Sequence, residues 1–264
     1  MRNSGLWARR GALAFMLLAC WPRLAGGQAE PARTAVADVA STLQPPNRLT
    51  AQPRDLQWYH LTAGLAAVGL AALADEGLRN TLQNHRSGTK DDIASVFRRM
   101  GQVEVFGTVG LGTIAAGIIA GNPKLRRAGE RISAGMLVAA FVNMGFKESV
   151  GRHRPTNPTD AFRFSPFSGN DSWPSGHTTM AFALATGVAD EVHSTPATIG
   201  LYTAATLTAW SRLNDDKHWL SDVTMGALVG ITGAKLMNGH WRVLGIHAPR
   251  FLLEPGAVGV SLKF

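Results

Sequence analysis

Apolar residues recur along this chain in six long blocks: Trp58 to Ala74, Val105 to Gly121, Ile132 to Phe146, Thr178 to Ala189, Ala197 to Trp210 and Val223 to Met237. Ala, Leu, Gly, Met and Val dominate them, and polar breaks such as Gly121-Asn122-Pro123 and Ser194-Thr195-Pro196 separate them, which predicts helices. Strand-like alternation is confined to the C-terminus, where Val258, Val260, Leu262 and Phe264 alternate with Gly259, Ser261 and Lys263. One strand cannot make a barrel. The expected fold is an all-α bundle of about six helices.

Outside the blocks the pattern changes. Arg2, Arg9 and Arg10 precede the apolar run Gly11 to Trp21, and small residues follow as far as Ala29. This predicts an export signal or N-terminal anchor over residues 1–29 and places the protein on the periplasmic side of a bacterial-type cell envelope. Leu17-Leu18-Ala19-Cys20 also resembles a lipobox, in which cleavage leaves a lipid-modified cysteine. Residues 30–57, with Pro45-Pro46 and Pro53, show no periodicity and are expected to form a tether. A helical domain over residues 58–240 and a C-terminal tail over 241–264 complete the division.

At 264 residues and 45% hydrophobic content, the chain has enough material for one buried core. Its charge of +8 suits an acidic partner, but no dense Lys/Arg block or aromatic-interleaved stripe suggests nucleic acid. Anionic phosphate or an anionic membrane surface fits better. The single cysteine, Cys20, excludes an internal disulfide and a Cys-rich zinc site. Length leaves the membrane question open: a 16-residue helix spans about 24 Å against roughly 30 Å of hydrocarbon, and mean hydropathy is only +0.02. The bundle is therefore either membrane-embedded or lies on the membrane face.

Three clusters join polar groups to predicted helix ends. In the first, Lys147 and Arg154 stand seven residues apart before Pro155, two turns apart on one face if the helix continues. Two cations there can grip one oxyanion, although such clusters also serve as solvated helix termini. The second, Trp173-Pro174-Ser175-Gly176-His177-Thr178, puts Ser175 at an N-cap and leaves the Gly176 and His177 amides facing outward, a natural anion site or simply a capped helix start. In the third, Arg212 closes a helix, and His218 and Asp222 lie four apart, so that the carboxylate can take the proton of one ring nitrogen and free the other. As an isolated pair this is also a common surface contact.

In order, Lys-x6-Arg-Pro, Pro-Ser-Gly-His and Ser-Arg-x5-His-x3-Asp resemble the three-part signature of the type 2 phosphatidic acid phosphatase superfamily, which includes the vanadium haloperoxidases. The resemblance covers about Trp58 to Gly239 and implies the following roles. Lys147, Arg154 and Arg212, with Ser175 and the Gly176 amide, bind phosphate oxygens. His218 attacks phosphorus, oriented by Asp222, and His177 protonates the leaving group. No metal and no other cofactor is implied, because fixed cations can supply what a metal supplies elsewhere. The implied partner is a phosphorylated substrate, lipid-linked by preference. A soluble periplasmic acid phosphatase, a vanadium haloperoxidase and a non-catalytic membrane protein remain alternatives. His153 reads as a spacer, His60, His85, His193, His240 and His247 as surface or boundary residues, and Asp215-Asp216-Lys217 as a polar loop; Trp173 could wall the pocket, and Asn157 to Asp171 a lid or an interfacial foot.

Overall fold

The computed structural model describes residues 54–156, 160–243, 250–254 and 257–261; the expected signal or anchor, Cys20, the tether as far as Pro53 and His247 lie outside them. Among the described residues are eight helices, α1 (Trp58–Leu73), α2 (Asp75–Asn84), α3 (Gly88–Met100), α4 (Val103–Ile119), α5 (Pro123–Val150), α6 (Gly176–Val192), α7 (Thr195–Asn214) and α8 (Leu220–Met237). The six apolar blocks correspond to α1 and α4 to α8. Helices α2 and α3 come from polar sequence with no apolar block. Their ends carry the reason they form: Asp75 and Glu76 open α2, Ser87 Oγ accepts from Lys90 N at 3.4 Å to cap α3, and Arg98 and Arg99 close α3.

Helix α5 starts earlier than its apolar block. Asn122 Oδ1 accepts from the amides of Lys124 and Leu125 at 3.0 and 3.1 Å, and Pro123 fits the first turn, so the basic stretch up to Arg131 is helical. The same helix ends at Val150, before Pro155. Gly151 turns the chain there with φ +60°, where a Cβ would lie 1.8 Å from the Ser165 carbonyl oxygen, so glycine is required on both counts.

Helices α1, α5 and α7 run toward the end of the bundle where Asp75, Lys147 and Arg212 stand, α4, α6 and α8 run away from it, and α3 packs beside the C-terminal half of α7. Glycines set how closely they pack. A Cβ on Gly226 would sit 2.7 Å from Ser175 O and one on Gly230 2.3 Å from Thr179 O, so α8 lies directly on the α6 backbone. Gly117 and Gly129 bring α4 equally close to α5. Phe106, Ile132, Met136 and Val229 fill the core between them. The exterior is different: Leu65, Leu73, Ile119, Leu137 and Phe141 are 60 to 86% exposed, along α1, α4 and α5. By length and composition, Gly88–Ile119 holds one 18-residue window apolar enough to cross a membrane, with a mean hydropathy of 1.5.

Strand β1 (Arg54–Asp55) pairs in parallel with β2 (Trp241–Arg242). The alternating C-terminus does form a strand, β4 (Ala257–Ser261), antiparallel to β3 (Arg250–Glu254), which the pattern did not signal.

The glycine contacts give the first prediction. Gly230→Ala forces α6 and α8 apart and destabilises the protein by about 1–3 kcal/mol, whereas Gly69→Ala, which meets nothing within 4 Å, is neutral or stabilising; thermal unfolding of the two purified variants measures the difference.

Candidate active site

The three clusters occupy one end of the bundle: the C-terminus of α5, the N-terminus of α6, and the turn from α7 to α8. Two close approaches fix this. The Ser175 amide donates to the Asp222 carbonyl at 3.0 Å, and Lys147 Cε comes within 3.9 Å of where a Gly176 Cβ would stand. Lys147 therefore lies over the amide end of α6, where the helix dipole also favours an anion.

Arg154 differs from expectation in how it gets there. Because α5 stops at Val150, Arg154 sits on the following loop and not two helical turns above Lys147. The two cations still converge, on Asp171. Arg154 donates to both carboxylate oxygens, Nε to Oδ1 at 2.9 Å and Nη2 to Oδ2 at 2.8 Å, and Lys147 Nζ bonds the Asp171 carbonyl. Burial by itself would raise the Asp171 pKa, but the Arg154 hydrogen bonds and the Lys147 charge hold it below its usual value. Arg212 supplies the third cation. Its Nη1 donates to Asp215 Oδ2 at 2.9 Å, while its Nε is buried with no acceptor. A buried guanidinium N–H without a partner is costly, and an oxyanion relieves that cost.

His218 is 5% exposed and held from behind. Its Nδ1 donates to the Ser172 carbonyl at 2.8 Å, with Asp222 Oδ2 at 3.5 Å. Fixing Nδ1–H leaves the Nε2 lone pair free. Asp222 thus shares the orienting role with Ser172, which it also grips: Ser172 Oγ donates to Asp222 Oδ2 at 2.6 Å. Burial is the main cause of a lowered His218 pKa, only partly offset by Asp222, so the imidazole is neutral at neutral pH. His177, in the first turn of α6, packs against Gly101 from the cap formed by α3, and Arg212, His218 and Arg154 all act on it electrostatically. Ser175 is fully buried, and its hydroxyl accepts from Thr178 Oγ1 at 3.0 Å, so it marks the start of α6 without capping it through its side chain. A cavity of about 420 Å³ opens beside His177, lined by Gly101, Ala140, Met144, Gly176 and Met180.

Other candidates settle as structural. His153 Nε2 lies 3.1 Å from Ser165 Oγ, and His60 and His85 bond within their own helix ends. Asp215 and Asp216, given no role from sequence, tie the cap to the bundle through Arg98, Arg212 and Arg79. Trp173 packs edge-on against Phe146, their ring centroids 5.3 Å apart. In the loop before α6, Phe162, Phe164 and Phe167 are exposed. Sequence reasoning missed Arg152, Ser172 and Asp75. Arg152 lies inside the first cluster and is 2% exposed, donating to Asp222 Oδ1 and Asp75 Oδ2.

Fold and site together define an all-helical domain that presents an anion cradle to a buried, oriented histidine. The family model of the PAP2 superfamily matches residues 131–242, which contain all three clusters. Over those residues the chain is similar to the PAP2 superfamily. Over 107 residues it is 39% identical to the lipid A 1-phosphatase of Porphyromonas gingivalis, a stretch that is 40% of this chain and 21% of that protein. The chain thus spans about a fifth of the length of that curated relative. The crystal structure of a transmembrane PAP2-type phosphatidylglycerolphosphate phosphatase from Bacillus subtilis has the same fold, with a TM-score of 0.54 and 20% identity over 67% of this chain and 94% of that one. The crystal structure of Aquifex aeolicus LpxE gives a TM-score of 0.49 at 20% identity, over 62% of this chain and 93% of that one.

The resemblance implies that Lys147, Arg154 and Arg212 share one anion, which predicts that each contributes to binding. Arg154→Ala weakens binding of orthovanadate by about 10-fold, or roughly 1.4 kcal/mol, measured by calorimetry on the purified protein.

Proposed function

We propose that this protein is a metal-independent phosphatase of lipid-linked phosphomonoesters or pyrophosphates, embedded in a membrane of the cell envelope with its site on the periplasmic side. The observation that carries the chemistry is His218, neutral and locked at Nδ1, at the end of the bundle where Lys147, Arg154 and Arg212 gather. The His218 Nε2 lone pair attacks phosphorus; an N–P bond forms and the bond to the leaving oxygen breaks, that oxygen taking a proton from His177, which burial and the nearby cations keep neutral in the free protein and which gains its proton beside the bound phosphate dianion. Water then attacks phosphorus, His177 accepts the water proton, and the N–P bond breaks to release phosphate. Charge spread over the three equatorial oxygens is met by the cations and by the α6 amides.

Two features support a lipid substrate. The exposed apolar faces of α1, α4 and α5 suit hydrocarbon, and the cavity beside His177 is walled by Ala140, Met144 and Met180. An amphiphile can place its phosphate at His218 while its chain leaves through that cavity. The stretch shared with a lipid A 1-phosphatase points the same way.

Phosphate release from a panel of lipid phosphates, beside p-nitrophenyl phosphate, tests the reading. His218→Ala should lower turnover about 1000-fold or more, and full activity in that variant would refute the mechanism. Activity should persist in EDTA; loss that added magnesium restores would overturn metal independence. The pH profile follows from His218. As pH falls through its lowered pKa the imidazole gains a proton and loses its lone pair, so the acid limb of kcat/KM, which reports the free protein, should lie below the ordinary histidine value of 6.5.

A further inference from the structure

Behind His218 lies a second set of charges, Asp75, Arg152 and Asp222, of which Asp75 stands outside the three clusters. Asp75 opens α2, outside the segment 131–242 that matches the family model, and is 1% exposed. Its Oδ1 accepts from the Ser221 amide at 2.8 Å, and its Oδ2 accepts from Ser221 Oγ at 2.6 Å and Arg152 Nη2 at 2.7 Å. Arg152 Nη1 in turn donates to Ser221 Oγ and to Asp222 Oδ1, both at 2.6 Å. The other Asp222 oxygen is then left for Ser172 Oγ, the Trp219 amide and the neighbourhood of His218 Nδ1.

We propose that Asp75 is a positioning residue for the His218 reaction, acting through Arg152 and Ser221 to fix the Asp222 carboxylate and keep the charge behind His218 negative. This rests on the phosphatase reading above. Two carboxylates against one guanidinium leave one net negative charge behind the ring. That charge stabilises His218 as its nitrogen turns positive on bonding phosphorus. Without Asp75, Arg152 neutralises Asp222 alone and the ring loses its counter-charge. Phosphate binding is a separate task, done in front by Lys147, Arg154 and Arg212. The loss therefore falls on kcat and not on KM.

The pH profile separates this from a purely structural role. His218 is faced by Asp222 and Ser172 from behind, Lys147 at the end of α5, Arg154 and Asp171 from the loop between α5 and α6, and His177 from α6. Taking away negative charge behind it, with the positive charges in front unchanged, makes protonation harder. The acid limb of kcat/KM moves to lower pH.

The experiment compares Asp75→Asn, Ser221→Ala and His218→Ala in the intact protein, using p-nitrophenyl phosphate. Asp75→Asn should lose about 10-fold in kcat, keep KM within about twofold and shift the acid limb downward. Ser221→Ala removes the bridging hydroxyl and no charge, so it should change kcat in the same direction by less. KM and the position of the limb do not depend on the fraction of molecules folded, and if Asp75→Asn does not fold, Ser221→Ala decides. Wild-type kcat and acid limb in the folded variants would overturn the proposal, as would a raised KM at unchanged kcat. If His218→Ala stays active, the underlying mechanism fails, whatever Asp75 does.

Discussion

A guanidinium buried to 2% exposure is the constraint around which the site end of the bundle is organised. Leaving Arg152 unpaired there would cost several kcal/mol, so the fold has to bring its acceptors to it. They come from segments far apart in sequence: Asp75 at the start of α2, the Ala161 carbonyl in the loop after α5, and Ser221 and Asp222 at the start of α8. The rings of Trp219 and Phe164, each with its centroid 5.5 Å from the guanidinium carbon, close over it. Satisfying one side chain thus pins α2, the loop and α8 to each other.

The glycines do the complementary work along the shafts of the helices. Gly226 and Gly230 seat α8 on the α6 backbone, so the start of α8 and the start of α6 meet at a fixed height, and Ser175 N can reach the Asp222 carbonyl. Reactive groups placed on helix ends of a closely packed bundle have little freedom to drift, which suits chemistry that depends on in-line geometry. Lys147 and Arg154 lie on one side of His218, and Asp222, with Arg152 and Asp75 behind it, on the other.

Much of this was legible in the sequence, for physical reasons. The long helices announce themselves because their cores are apolar, and the three clusters because each puts several polar groups beside a helix boundary. The missing parts lack such signals. Helices α2 and α3 are short and amphipathic, with a few apolar positions on one face, Ala94 buried among them, in place of a continuous apolar block. Asp75 is one of two adjacent acids at the start of α2, and its partners lie 77 and 146 residues away, so nothing local distinguishes it from a surface carboxylate. Arg154 was recognised for its charge but misplaced on a helix, because the left-handed turn at Gly151 depends on contact with Ser165.

The small parallel pairing of Arg54–Asp55 with Trp241–Arg242 brings the two ends of the helical stretch together. It sits where α8 ends and just before α1 begins, and the 18 residues of α8 separate it from the catalytic end by about 27 Å. The helical domain is therefore polar in the geometric sense, with both of its chain connections leaving from one face and all of its chemistry on the other. A fluorescent tag or affinity handle joined at either connection would hang beneath the helical domain and leave the end that carries the three clusters clear.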